Sequence, residues 1–139
     1  MSKARILIVE DEYLVAADLE ATLEEFGYSS AGIAPDLESA LTLAATKPDL
    51  ALVDIHLRDG QTGPMIARRL AQDHGIAVLF VTANPRMALD ANPPGVIGVL
   101  NKPCREDVVA AAVAYALQSR AGAPLLSPPV GLTLLQSAA

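Results

Sequence analysis

Cysteine occurs once in this chain of 139 residues, at Cys104. One thiol excludes an internal disulfide and any zinc cluster built on cysteine, and it suits a reducing compartment. Histidine is nearly as scarce: neither His56 nor His74 has a second histidine at ligand spacing, so a zinc site at His56 is not expected. Basic residues are outnumbered, ten against sixteen acidic ones, for a net charge of −6. Affinity for a nucleic-acid backbone rests on lysine and arginine patches, so no nucleic-acid partner is expected. No apolar run reaches the roughly 18 residues of a membrane span; Ile76–Val81 and Val108–Leu117 stop well short. Met1-Ser2-Lys3-Ala4-Arg5 leads directly into a strand-like run without a secretory signal's apolar core. The expected location is cytoplasmic, with no membrane partner. Hydrophobic residues, at 52% against 19% charged, supply ample core for a single domain and exclude intrinsic disorder.

Two textures alternate along the chain. Arg5–Val9, Leu50–Val53, Ile76–Val81 and Val96–Leu100 are continuous apolar runs of strand length. Unbroken runs suit strands buried on both faces of a parallel sheet. The more polar Tyr28–Ala34 reads as a weaker edge strand. Helical patterns lie between them. In Glu12–Phe26, the residues Val15, Leu19, Leu23 and Phe26 fall on one helical face. Leu37–Thr46 follows Asp36, a candidate cap. Gly63–His74 opens with Pro64 and ends before Gly75, the expected asymmetry of helix ends. Pro85, Pro93 and Pro94 limit a fourth helix to about Arg86–Ala91, and Arg105–Ser119 forms the fifth. Strands alternating with helices imply an α/β fold with a parallel sheet covered on both faces. Residues 121–139 carry no charge and hold prolines at 124, 128 and 129; they read as a tail to a domain spanning 1–120.

Polar residues cluster at the ends of these strands. Glu10 and Asp11 follow the first, Asp54 ends the third, Thr82 ends the fourth and Lys102 follows the fifth. The carboxyl ends of parallel strands share one edge, where open α/β sheets bind ligands. Three carboxylates, a hydroxyl and an ammonium would converge there. Two carboxylates about 5 Å apart repel by roughly 3 kcal/mol at an effective dielectric near 20. A divalent cation relieves that repulsion, and a few carboxylates with room for water suit Mg²⁺. An aspartate can act as a nucleophile towards phosphorus, while Lys102 and Thr82 would neutralise the transferring oxygens.

The runs I-L-I-V-E-D-E, L-A-L-V-D-I-H-L-R-D-G, F-V-T-A and N-K-P, in that order over residues 3–119, resemble the receiver domain of two-component response regulators. The resemblance implies a flavodoxin-like, doubly wound, five-stranded parallel sheet in the order 2-1-3-4-5, with about five helices. It implies that Asp54 accepts a phosphoryl group from a histidine kinase or phosphotransfer protein. Glu10, Asp11, Asp54 and the backbone carbonyl of His56 would hold Mg²⁺; Thr82 and Lys102 would contact the phosphoryl group. Lys102-Pro103 matches the family's cis-peptide site, and His56 and Asn84 match positions that tune hydrolysis.

The chain departs from that pattern in two ways. Val99 stands where the family often has an aromatic switch residue, and the stretch from Thr82 to Val99 is short. The phosphorylated state is therefore expected to act through Ala83–Ala91. The last helix is uncharged from Val108 to Leu117, too apolar for a helix with one wet face. Either a second protomer, in a homodimer through the last helix and tail, or the tail leucines (Leu125, Leu126, Leu132, Leu134 and Leu135, with Val130) would cover it. The expected protein is a stand-alone, non-enzymatic regulator without an output module, signalling by contact with a downstream protein or draining phosphate. Two other classes remain open: a phosphorylation-independent pseudo-receiver, and a flavodoxin-like phosphatase. The phosphatase would want a carboxylate two residues beyond Asp54, where His56 stands.

Overall fold

Four of the strands are sheathed on both sides. In the computed structural model, which describes residues 3–122 and 127–135, β1 (Arg5–Val9), β3 (Leu50–Val53), β4 (Ala77–Thr82) and β5 (Val96–Asn101) form the middle of one sheet, and β2 (Ser29–Ala34) lies outside β1. These five strands are parallel in the order β2-β1-β3-β4-β5. Alternate residues point to opposite faces. Leu7, Val9, Ala51, Val53, Val78 and Phe80 meet α2 (Leu37–Ala44), α3 (Gly63–His74) and α4 (Pro85–Ala91) on one face. Ile6, Ile8, Leu50, Leu52, Leu79 and Val81 meet α1 (Tyr13–Glu25) and α5 (Glu106–Ala121) on the other. The parallel sheet covered on both faces that the alternating textures predict is what forms, in the strand order the resemblance implied.

A sixth strand was not expected. Residues read as a tail return to the sheet as β6 (Leu132–Leu134), antiparallel to β5. The three-residue run Leu-Thr-Leu is too short for a periodic signal, and the open edge of β5 supplies the missing backbone partners. Of the tail residues expected to cover α5, Leu132 alone among the described residues is buried with its Val109, Ala112 and Val113; Val130 and Leu134 are exposed, Leu135 packs on the other face, and Leu125 and Leu126 lie outside the described residues. Among the described residues, no helix is long and apolar enough to cross a membrane. One face assignment also fails. Phe26, expected on the buried side of α1, is the residue that ends the helix and is 48% exposed, while Ala16, Thr22 and Leu23 carry the burial.

Two local devices place the loop after β3. Asp36 caps α2: its Oδ1 accepts the Ser39 N–H at 3.0 Å, and the Ser39 hydroxyl accepts the Asp36 N–H at 3.3 Å. The same aspartate pairs with Arg58, whose N–H donates to the Pro35 carbonyl at 3.1 Å. Gly63, which begins α3, packs directly on the end of β3. A Cβ there would lie 2.0 Å from the Asp54 carbonyl oxygen and 2.6 Å from Ile55 Cα. Only glycine permits that approach. Gly75, at φ +65°, ends the same helix in the left-handed conformation that favours glycine.

Gly63→Ala is expected to lower stability by about 1–3 kcal/mol through overpacking against backbone; an unchanged melting temperature would contradict this contact. Hydrogen bonds from the Ser39 side chain and from Arg58 hold the Asp36 carboxyl down to about 2. A depressed folded-state value stabilises the fold above the unfolded value of about 3.9, and that stabilisation is lost as pH falls towards 2. In a carboxylate NMR titration the Asp36 midpoint should sit near 2, and Ser39→Ala should raise it more than Arg58→Ala. A midpoint near 4 in the unmodified protein would remove this account of the cap.

Candidate functional site

The carboxyl edge of the sheet gathers the five residues expected there. Backbone bonds fix Glu10, Asp54, Thr82 and Lys102 before any side chain is considered. The N–H of Asp54 donates to the Val9 carbonyl at 2.9 Å, that of Glu10 to the Ala34 carbonyl at 2.9 Å, and that of Lys102 to the Thr82 carbonyl at 2.9 Å. Residues separated by 48 positions then meet: the Lys102 ammonium donates to Asp54 Oδ2 at 2.8 Å. It also donates to Glu10 Oε1. The Ile55 N–H donates to Asp54 Oδ1 at 2.7 Å, so both oxygens of that carboxylate are oriented. Thr82 is 1% exposed, and its hydroxyl accepts the Asn84 N–H at 3.0 Å. The Lys102-Pro103 peptide is cis, as the resemblance implied.

Burial and charge oppose one another here. Glu10 is 4% exposed, and burial pushes its carboxyl above the ordinary value even though Lys102 pulls the other way; the charge of Asp54 adds to the rise. Burial works against the Lys102 charge as well, but hydrogen bonds and charge from Asp54 and Glu10 outweigh it, and its pKa rises. Lys102 is therefore charged throughout the physiological range. Asp11 is exposed beside Glu10, close enough for its charge to raise Arg58. His56 is exposed on the loop after Asp54, and that loop closes through reciprocal backbone bonds between Leu57 and Gly60 at 2.8 and 3.0 Å.

The donor set fits Mg²⁺. Its oxygens are hard, and its negative charge exceeds the single ammonium. Mg²⁺ binds through one or two carboxylates and keeps several waters. Among the described residues, no three or more His, Cys, Asp and Glu side chains form a ready-made metal cage. Lys102 lies between Glu10 and Asp54, and Asp11 faces solvent.

The roles of three residues escaped the sequence reading. Gly63 props the backbone of Asp54, yet T-G-P marks only a helix start. Asp36 and Asp59 tether the loop that carries His56: Asp36 through Arg58, and Asp59 through the Leu37 N–H at 3.1 Å and the Thr62 hydroxyl at 2.6 Å. No spacing signal links those residues. Cys104 has a milder outcome: it packs partly buried beside α5, where burial, and then the charge of Asp107, push its thiol pKa up.

Known proteins resemble this chain in sequence and fold. A family model for the response regulator receiver domain matches residues 6–114. The phyllosphere-induced regulator PhyR of Methylorubrum extorquens is 36% identical over 114 residues, covering 81% of this chain and 43% of PhyR. The transcriptional regulatory protein PdtaR of Mycobacterium tuberculosis is 36% identical over 71% of this chain and 49% of its own length. The chain thus spans less than half of these curated relatives. Among solved structures, the receiver domain of PhyR from Erythrobacter litoralis superposes with a TM-score of 0.77 at 31% identity, covering 84% of this chain and 92% of that one. A CheY-like receiver domain protein from Methanospirillum hungatei gives 0.75 at 25% identity over 87% and 98% of the two chains. The chain belongs to the family of response-regulator receiver domains.

Proposed function

We propose that this chain is a phosphorylated regulator that takes a phosphoryl group onto Asp54 from a phosphohistidine of a histidine kinase or phosphotransfer protein. The observation that carries the reading is the 2.8 Å bond from Lys102 to Asp54 Oδ2, which holds a cation against a carboxylate oriented on both oxygens. In the transfer an Asp54 oxygen attacks phosphorus; the new O–P bond forms as the P–N bond to the donor imidazole breaks, and the neutral imidazole leaves after taking up a proton. Glu10, Asp11, Asp54 and the His56 carbonyl would hold Mg²⁺. When bound, the metal supplies positive charge to the phosphoryl oxygens. Lys102 turns from the Asp54 carboxylate to a phosphoryl oxygen, and the Thr82 hydroxyl donates to another.

Tyr13 and Leu14, 71% and 82% exposed at the start of α1, give the donor protein an apolar rim beside the site. Behind them a cleft of about 500 Å³ runs between α1 and the start of α5, bordered by Val15, Leu19, Lys102 and Pro103. Output passes by contact with another protein, or the domain drains phosphate from a relay. Val99 is 2% exposed beneath α4 and has no ring to swing, so the change reaches the surface through Ala83–Ala91, where Leu89 is 40% exposed.

Incubation with acetyl phosphate and Mg²⁺ should add one phosphate to the intact mass. The increment should vanish in Asp54→Asn and on chelation, and Lys102→Ala should slow it by roughly a hundredfold. No increment in the unmodified chain would overturn the reading in favour of a phosphorylation-independent interaction module, and sustained turnover of a phosphomonoester would overturn it in favour of a hydrolase. NMR of the chain with beryllofluoride, a phosphoryl mimic, should shift Ala83–Ala91. Shifts confined to the metal site would refute that output route.

A further inference from the structure

Residues 131–135 sit on β5 through contacts too specific for a passive tail. Leu132 lies opposite Leu100, Thr133 opposite Val99 and Leu134 opposite Gly98, and the Leu135 N–H donates to the Ile97 carbonyl at 3.0 Å. Two glycines make room. A Cβ on Gly98 would stand 2.7 Å from the Thr133 carbonyl oxygen and 2.9 Å from Leu132 Cδ1, and its third neighbour is again Thr133. Gly131, at φ +99°, passes so near α5 that a Cβ would lie 2.8 Å from Val108 Cγ1. Leu132 packs with α5 on one face of the sheet; Leu135 packs on the other against the cluster that holds Ala88, Val96 and Val99. The segment grips β5 from both sides.

β5 is also the strand that carries the site. Asn101 pairs with Thr82, and Lys102 follows directly. Drawing Lys102 and the Thr82 hydroxyl towards a phosphoryl group on Asp54 displaces the ends of β4 and β5 together, and Val99, packed between its neighbours Phe80 and Thr133, offers no rotamer change to absorb it. Five residues of β5 are in register with β4, three with β6. Local opening starts at the least-held element.

Resting on the phosphorylation of Asp54, we propose that residues 131–135 are a self-docked strand that closes the β5 edge in the unphosphorylated domain and leaves it on phosphorylation, opening that edge to an extended segment of a partner protein. The seat defines the partner's chemistry. It is an uncharged stretch with glycine at the place of Gly131 and leucine-sized side chains at the places of Leu132 and Leu135, joined to β5 by backbone hydrogen bonds.

Hydrogen exchange on the full chain with Mg²⁺ and beryllofluoride tests the release. Amides around Asp54 and Thr82 should gain protection while those of 132–135 lose it at least tenfold. A responding site with 132–135 unchanged overturns the release alone, and a silent site overturns the phosphorylation reading and the release with it. Binding linkage is reciprocal. Gly98→Val, whose Cβ would have β6 atoms as its three nearest neighbours, should therefore raise beryllofluoride affinity several-fold; so should Thr133→Pro, which leaves β5 untouched if the valine variant does not fold. Unchanged affinity in a folded variant overturns the coupling. A labelled peptide of residues 127–135 should bind the Thr133→Pro chain and fail to bind the Thr133→Pro/Gly98→Val chain. Equal binding to both, or to neither, overturns the docking surface.

Discussion

One ammonium among three carboxylates sets the terms for the whole carboxyl edge. At about 4 Å and an effective dielectric near 20, an opposite-charge pair is worth roughly 4 kcal/mol before desolvation is counted. Lys102 makes two such pairs, with Asp54 and with the nearly buried Glu10. Without it Glu10 would be a buried acid with only the Glu12 N–H, at 3.3 Å, for a partner, and a buried charge left alone is strongly destabilising. The same lysine cannot neutralise three acids. The site is thus stable enough to fold yet still electrostatically unsatisfied, and that residual negative charge suits a divalent cation.

The fold leaves this edge free by closing the other. At the amino ends of the strands, the Arg5 N–H donates to Asp49 Oδ2 at 2.8 Å, the Asp49 N–H to the Arg5 carbonyl at 2.8 Å, and Arg120 Nη1 to the Asp49 carbonyl at 2.7 Å. The Arg120–Asp49 ion pair beside these hydrogen bonds, at 3.3 Å and partly exposed, adds little energy by itself. The value of these contacts is geometric, since they join the starts of β1 and β3 to the end of α5. Loops at the carboxyl edge are held differently, by the Asp36–Arg58 pair and by the pressure of Gly63 on the Asp54 backbone. Those contacts position Asp54 from behind.

Features that repeat or that obey backbone rules were legible in the sequence. The buried strands stand out because unbroken Val, Ile and Leu runs have no other comfortable place. α3 runs from Gly63 to His74 as its Pro64 and Gly75 signals required. Glu10, Asp54, Thr82 and Lys102 could be placed together because strand polarity alone aligns their ends. What escaped depends on contacts between distant segments. Gly63 looks like any helix-opening glycine until Asp54 is set 2.0 Å from its missing Cβ. Phe26 fits the helical period of α1, but the helix ends at Glu25 and leaves the ring outside. β6 has no period to detect in three residues, and its partner lies more than thirty positions back in the chain. Its signature, a glycine in β5 that faces Thr133, becomes readable only with both strands in view.

β6 also shows why a short element suits a signalling domain better than a long one. Burying a leucine side chain contributes about 1.5–3 kcal/mol, so Leu132 and the partly buried Leu135 supply about 3–6 kcal/mol at most. Ordering five residues costs about 5–10 kcal/mol of backbone entropy, which a few strand hydrogen bonds at about 1 kcal/mol each offset. The two sides nearly cancel. Longer pairing would hold β6 beyond the reach of any change at the active site, and a bare edge would invite uncontrolled pairing between chains. A three-residue strand, seated by two glycines and two leucines, lies between these extremes: it caps the β5 edge, yet the balance holding it is small enough for the release proposed above.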